Sequence, residues 1–274
     1  MDNLKTYTTE AICLRAIDYG EADRILHLYT PEGGKISAMA KGAKRANSKL
    51  AAACERLNLC EVQLAHGRTM ETVCQAQSRQ SFLGLRQDIL KLSYGMLFTD
   101  LVAATDAANA DSHEIFVLLR DSLETLSLAA NEDTMGIGLF FQRAWLEMAG
   151  FHPVLDSCII TGDGLDPTAM YYCFSSELGG LTSPETRRQW RMGASQQENA
   201  MEWVNVSATT IALLDCPRDS SWTDTQRGKA QKFLRYYFAK VLEKDIQAYE
   251  FLFQLLELPD STPAAISAAR GSFQ

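Results

Sequence analysis

Four runs near the start decide the fold: Glu10-Ala-Ile-Cys-Leu-Arg-Ala-Ile17, Arg24-Ile-Leu-His-Leu-Tyr-Thr30, Pro31-Glu-Gly-Gly34 and Lys35-Ile-Ser-Ala-Met-Ala-Lys41. The first, second and fourth alternate between apolar and polar residues with β-branched side chains among them, which is the two-residue period of a half-buried strand. The third is a turn signal set between two apolar runs. Leu57 to Ala65 and Thr69 to Ser78 repeat the pattern around the turn His66-Gly67-Arg68. Five short strands within the first 80 residues predict a small sheet or barrel. The interruption, Gly42 to Arg56, reads as a basic loop running into a short helix at Leu50 to Cys54.

From about residue 84 the period becomes helical. Leu85, Ile89, Leu92, Met96, Leu97, Leu101 and Ala104 mark a first helix. Ile115, Leu118, Leu119, Leu123 and Leu126 mark a second, with Ser112 as candidate N-cap and Glu114 in its first turn. Ile137 to Ala149 is a third, closed by Gly150 and Pro153. Thr223 to Leu256 is a fourth, long or split. Residues 152–185 are turn-rich, and the tail after Pro259 is small and polar and is expected to be loosely ordered.

Composition bounds the class. The chain has 274 residues, 46% apolar and 22% charged, which is globular rather than disordered or fibrous. It has no apolar run long enough to cross a membrane and no apolar segment in Met1 to Glu10 of the kind a secretory signal needs, so the expectation is a cytoplasmic protein. The seven Cys are scattered and none forms a CxxC pair, which disfavours a disulfide framework. The net charge of −8 is unevenly spread: residues 1–80 hold 11 basic and 9 acidic side chains, and residues 81–274 hold 15 and 25. Six of the basic residues fall between Lys35 and Arg56. A polyanion-facing N-terminal module on a protein-facing body would look like this, and so would ordinary surface charge.

Motifs for catalysis are missing. The chain carries no GxGxxG after a strand, no Walker loop, no HExxH and no G-x-S-x-G elbow. Its four His are far apart in sequence. Cys13 and Cys74 lie in strand patterns and read as packing residues, and Asp163 and Asp166 as turn-capping carboxylates. The basic segment remains: Lys41, Lys44, Arg45 and Lys49 on a loop able to follow a phosphate backbone, with Arg15, Arg24 and Lys35 on the adjoining strands. Arg24 ranks lower because Asp23 precedes it. Tyr7, Tyr19, Tyr29 and Phe82 offer stacking faces, with core packing the stronger reading for Tyr29.

Specific strings add to this. Asp18-Tyr-Gly-Glu-Ala-Asp-Arg24, Thr30-Pro-Glu-Gly-Gly-Lys35, Ala40-Lys-Gly-Ala-Lys-Arg45 and Ser48-Lys-Leu50 resemble the N-terminal region of the RecO family of bacterial recombination mediators. Phe141-Gln-Arg-Ala-Trp-Leu146 through Gly150-Phe151 and Cys158, then Phe174-Ser175 and Gly179-Gly180-Leu181, resemble its later part in the same order. The resemblance implies an α+β multidomain protein. An N-terminal OB-fold β-barrel (1–80) is followed by an all-α helical domain (81–152 and 190–258), with a zinc-finger-like insertion (153–189) and the tail (259–274). It implies binding of single- and double-stranded DNA, annealing, and action with RecR to load RecA on DNA coated by single-strand binding protein (SSB), near the nucleoid, with no nucleotide hydrolysis, small-molecule substrate or membrane contact. The alternative is an adaptor of the same fold with weak DNA binding.

Zinc-bearing relatives of that family carry two CxxC pairs. Here the first would be Cys158 and Thr161, and the second place reads Leu181-Thr-Ser-Pro-Glu-Thr186. One matched sulfur cannot supply a tetrahedral zinc site, so the expectation is a degenerate element without zinc, packed by Tyr171, Tyr172, Phe174 and Trp190. For the acidic tail of SSB, the resemblance directs attention to cations on the helices. Arg143 and Arg120 are the candidates, against local pairing with Glu147 and Glu124. Lys229, Lys232 and Arg235 are the fallback.

Overall fold

The computed structural model describes residues 6–51, 54–104 and 111–257. Strands β1 (Thr6–Tyr19), β2 (Asp23–Thr30), β3 (Gly34–Ala40), β4 (Leu59–Ala65) and β5 (Glu71–Gln80) close into a barrel in the order β1-β2-β3-β5-β4. All neighbours are antiparallel except β3 and β5, which run parallel.

β1 does not simply alternate. Ala11, Ile12, Cys13 and Leu14 are all buried. Ala11 and Cys13 face the barrel interior with Leu26, Leu28, Ala38, Val62 and Leu64, while Ile12 and Leu14 face outward into the core of the helical body. A strand covered on both sides loses its polar face. A bulge between Cys13 and Arg15 then changes the register, and Arg15 emerges into solvent. The turn before β3 is fitted to the body: Gly34 has φ +58, and a Cβ there would lie 2.8 Å from the Ser112 hydroxyl.

The helices are α1 (Leu83–Gln87), α2 (Ile89–Ala104), α3 (Ser112–Leu128), α4 (Thr134–Met148), α5 (Pro184–Gly193), α6 (Gln196–Asn199), α7 (Ala208–Asp215), α8 (Asp224–Val241) and α9 (Gln247–Leu256). The expected first helix is split at Asp88, whose carboxylate accepts the Leu90 and Lys91 N–H groups and starts α2 afresh. The N-cap of α3 is Asp111, which accepts the His113 N–H at 2.8 Å; Ser112 is its first helical residue. The fourth helix is also split, into α8, opened by a Thr223/Gln226 capping box, and α9. Of the expected short helix at 50–54, Leu50, Ala51 and Cys54 lie in turns and residues 52 and 53 fall outside the described residues, as does the whole of the expected loose tail 259–274.

The body packs around α2, α4, α8 and α9. Phe98 stacks on Phe141 at 3.9 Å between ring centres, and Trp145 meets Phe238. Within this apolar core Gln142 and Gln231 exchange amide hydrogen bonds (3.0 and 2.8 Å). Tyr94 donates to Gln231 and Tyr249 to Gln142. Four helices thus share one satisfied polar cluster, whose members would each be costly to bury unpaired.

Between α4 and α7 lies a second, four-stranded sheet in the order β6-β8-β7-β9: β6 (Val154–Cys158), β7 (Tyr171–Ser175), β8 (Gly180–Thr182) and β9 (Val204–Ser207). β9 lies inside the stretch 190–258 assigned to the helical domain. Val204-Asn-Val-Ser207 is too short to show its period, and pairing with β7 decides its state. Of the four packing side chains expected here, Tyr172 and Phe174 are buried, Trp190 is half-buried and Tyr171 is exposed.

Candidate nucleic-acid interface

The two most specific strings of the sequence meet in space. Asp18 and Arg24 are cross-strand partners in the β1–β2 hairpin, and the Arg24 Nε donates to the Asp18 carboxylate at 3.1 Å. The second carboxylate oxygen takes Lys44 Nζ at 3.1 Å. Asp23, expected to engage Arg24, instead accepts the Gly42 backbone N–H at 2.8 Å. The Lys44 N–H donates to the Ala22 carbonyl at 2.9 Å. Lys44 first, then Arg24, hold the Asp18 carboxyl below its ordinary range. Gly42 sits at φ +68, a left-handed conformation that favours glycine and lets the loop double back onto the hairpin.

This lock sorts the seven cations singled out from the sequence. Arg24 and Lys44 are held by Asp18. Lys35 donates to the Ala103 carbonyl at 3.0 Å, at the C-terminal end of α2, where a cation is favoured by the unsatisfied carbonyls. Arg15, Lys41, Arg45 and Lys49 are exposed and make no ion pair or side-chain hydrogen bond among the described residues. The barrel fixes where these four stand and leaves their charge to solvent.

The face beside them is mixed. Arg15 pairs in register with His27, His27 with Ser37, Ile17 with Ile25, and Ile25 with Met39, so these residues share one side of β1–β2–β3. Ile17 and Tyr19 are exposed large side chains at its open end. The His27 Nδ1 lies 3.1 Å from the Ser37 hydroxyl. Burial, and then the nearby Arg15 and Lys35, push the His27 pKa down. Of the other aromatics considered for stacking, Tyr29 and Phe82 are buried, Tyr29 hydrogen-bonding Ser112, and Tyr7 stacks on His66 at 4.8 Å. Exposed cations, a titratable ring and apolar contacts on one face of the barrel can hold a phosphate backbone and its bases by charge and stacking.

The buried cysteines Cys13, Cys54 and Cys60 offer no nucleophile. Burial raises the Cys54 thiol to about 11 and Cys60 to about 12, and Cys13 higher still. Cys74, expected to be buried, is exposed, because Val73 takes the inward position of β5 and its neighbour must point out. Asp166 caps the Thr168 N–H at 2.9 Å, the structural role its turn suggested.

Around Cys158 the backbone makes a tight knuckle: the Gly162 N–H donates to the Cys158 carbonyl, and the Cys158 N–H to Asp163. The Cys158 sulfur is met by the Thr182 hydroxyl at 3.1 Å, while the Ser183 and Thr186 hydroxyls bond each other at 2.9 Å. Cys173 faces Asn205 and Arg187. One sulfur among hydroxyls is not a zinc donor set, so these residues do not fit the zinc site that the family resemblance implies. Among the described residues no group of three His, Cys, Asp or Glu could hold a metal ion.

On the helical body, a largely apolar groove of about 550 Å³ lies between α3 and α4, lined by Val117, Leu118, Ile137, Phe140 and Met148 and also by the acids Glu114 and Asp121 of α3. Arg218 stands over the Phe140 ring at 6.0 Å. It precedes α8 in a turn, where helical periodicity gives no signal. The two candidates named from the sequence flank this groove without lining it. Arg120 pairs with Asp121 at 2.8 Å and Arg143 with Asp215 at 3.9 Å, so their partners are not the expected Glu124 and Glu147.

A five-stranded barrel bearing a cationic loop, docked on a helical body with a small inserted sheet, defines an α+β protein. Residues 1–82 match the family described as "Recombination protein O N terminal", and residues 86–250 match "Recombination protein O C terminal". The chain is 30% identical over 266 residues to the DNA repair protein RecO of Pelotomaculum thermopropionicum, covering 96% of this chain and 99% of that one. It is 34% identical over 243 residues to the protein of the same name from Alkaliphilus metalliredigens, covering 88% and 92%. The protein belongs to the recombination protein O, or RecO, family. No helix among the described residues is long and apolar enough to cross a membrane.

Proposed function

We propose that this chain acts in DNA repair and recombination by binding single- and double-stranded DNA across the β1–β2–β3 face and the 41–49 loop. The barrel is assigned to the OB-fold, whose sheet face and loops commonly take oligonucleotides. The carrying observation is the division of labour among its cations: Asp18 and Asp23 anchor the loop, while Arg15, on the face of Ile17 and Tyr19, and Lys41, Arg45 and Lys49 of the loop are exposed and make no ion pair among the described residues. The role is to hold and pair strands, with RecR as partner in loading RecA on SSB-coated DNA; it requires no covalent step, zinc or other cofactor. The α3–α4 groove, with Arg218 and the flanking Arg143, is the proposed seat of the SSB tail, whose apolar end needs a groove and whose carboxylates need a cation. These roles place the protein in the cytoplasm at the nucleoid.

The domain assignment follows the same reading: barrel 1–80, helical domain 81–152 and 190–258, insertion 153–189. The excess of 25 acidic over 15 basic residues in 81–274 favours a second reading, an adaptor with weak DNA affinity. Titration of a fluorescent oligonucleotide decides between them. Binding at moderate salt, weakening linearly as log salt rises, supports the mediator; no binding at moderate salt supports the adaptor.

A further inference from the structure

The cationic loop has two ends, and Asp18 and Asp23 hold only the first. Along the loop the Arg45 N–H donates to the Gly42 carbonyl, Ser48 to Arg45, Ala51 to Ser48 and Cys54 to Ala51, at 3.1, 2.9, 3.3 and 3.3 Å. These bonds succeed one another at three-residue steps and make the loop an ordered string of turns. The pose of Arg45 and Lys49 therefore depends on where both of its ends stand.

The returning end runs from Cys54 to Asn58. There the Leu57 N–H donates to the Cys13 carbonyl at 3.0 Å, and the Cys13 N–H to the Asn58 carbonyl at 3.1 Å. Cys13 opens the β1 bulge beyond which Arg15 emerges. Leu57 is buried at φ +70, a left-handed conformation that a leucine keeps only where its surroundings impose it.

Arg56 does much of the imposing. It is the last of the six basic residues between Lys35 and Arg56, yet its side chain is only 25% exposed and lies against α2. Its Nε donates to the Thr99 hydroxyl at 3.0 Å, and its Nη2 to the Met96 carbonyl at 2.8 Å and to the Asp100 carboxylate. Arg86 closes the junction from the other side, donating to the Arg56 carbonyl at 3.2 Å and to the Asn58 side-chain oxygen at 3.3 Å. A planar guanidinium fork can reach these α2 acceptors together, which a lysine ammonium cannot.

We propose that Arg56 is a positioning residue for DNA binding. It takes no phosphate itself. It fastens the returning end of the loop to α2 and, through the string of turns and the Cys13 pairing, sets the pose of Arg15, Arg45 and Lys49. This rests on the reading that the barrel face binds DNA and deepens it. Without the fastening, DNA has to order the loop as it binds, which weakens affinity and removes no phosphate contact.

The test titrates a fluorescent oligothymidylate into full-length wild type, Arg56→Gln, Arg56→Lys and Thr99→Val over a range of salt, at a temperature where circular dichroism shows each protein folded. Thr99 is fully buried in α2, so Thr99→Val removes an acceptor of Arg56 while removing neither a charge nor a phosphate contact. Log affinity against log salt should run parallel to wild type in all three variants. Affinity should be about fivefold to tenfold lower for both Arg56 variants and about threefold lower for Thr99→Val. If the Arg56 variants do not fold, Thr99→Val decides alone. A slope flattened by about 0.7 in Arg56→Gln and restored in Arg56→Lys would make Arg56 a phosphate contact and overturn the proposal. Wild-type affinity and slope in the folded variants would leave Arg56 purely structural, refuting the positioning role while the barrel reading stands. If wild type binds no oligonucleotide, both readings fall together.

Discussion

Lys44 places its ammonium 3.1 Å from the carboxylate of Asp18, joining the loop after β3 to the hairpin that precedes it. The same carboxylate holds Arg24, so one acid restrains two of the cations nearest the binding face. The arrangement trades charge for order: the loop is anchored, and two positive charges are masked.

Removing that acid therefore has a predictable sign. Asp18→Asn should free Lys44 and Arg24 and steepen the salt dependence of oligonucleotide binding by about 0.7 to 1.4 log units per log unit of salt. An unchanged slope would show that neither side chain reaches DNA when released.

His27 makes a prediction about pH. Burial, Arg15 and Lys35 lower its folded-state pKa, so the stability linked to its neutral form is complete above the ordinary His value near 6.5 and is lost as pH falls through the lowered value. A phosphate docked at Arg15 would favour the charged ring. Oligonucleotide affinity should then rise as pH drops from about 7.5 to about 5.5, and His27→Gln should flatten that rise. A parallel pH profile in both proteins would remove His27 from the interface.

Gly138 on α4 tests the core. Alanine in a helix is ordinarily favoured over glycine by about 1 kcal/mol. Here the added Cβ would lie 2.2 Å from the Tyr94 ring, which is buried and tied to Gln231. Overpacking costs about 1–3 kcal/mol, which outweighs the helical gain. Gly138→Ala should lower Tm; a raised Tm would mean that the ring can move aside.

Zinc is testable directly. With the Thr161 and Thr182 hydroxyls at the Cys158 sulfur in place of further thiolates, purified protein should hold far less than one zinc per chain, and a chelator should leave its melting curve in place. Stoichiometric zinc whose removal unfolds the protein would contradict this.

How much was legible in advance varies with the physics. The five strands were visible because their side chains alternate, and the third helix because Gly150 ends it at φ +77. The bulge at Cys13/Arg15 was not, since the run from Ala11 to Leu14 is buried from two sides by partners far along the chain. Lys35 reads as an interface residue in the sequence, and composition cannot show that its ammonium also meets the end of α2. Arg24 was ranked low for the right kind of reason with the wrong acid: register pairs it with Asp18, six residues away, and leaves Asp23 for Gly42. Arg218 was not singled out because a single Arg in a turn leaves no periodic signal; its place beside Phe140 comes from tertiary packing.

The central claim is that the unpaired cations of the barrel bind DNA. The direct measurement is the salt dependence of single-stranded oligonucleotide binding by the triple variant Arg15→Gln/Lys41→Gln/Arg45→Gln. Three lost phosphate contacts should flatten the slope by about 2 log units per log unit of salt and weaken binding evenly across sequences. A triple variant with wild-type affinity and slope would contradict the account.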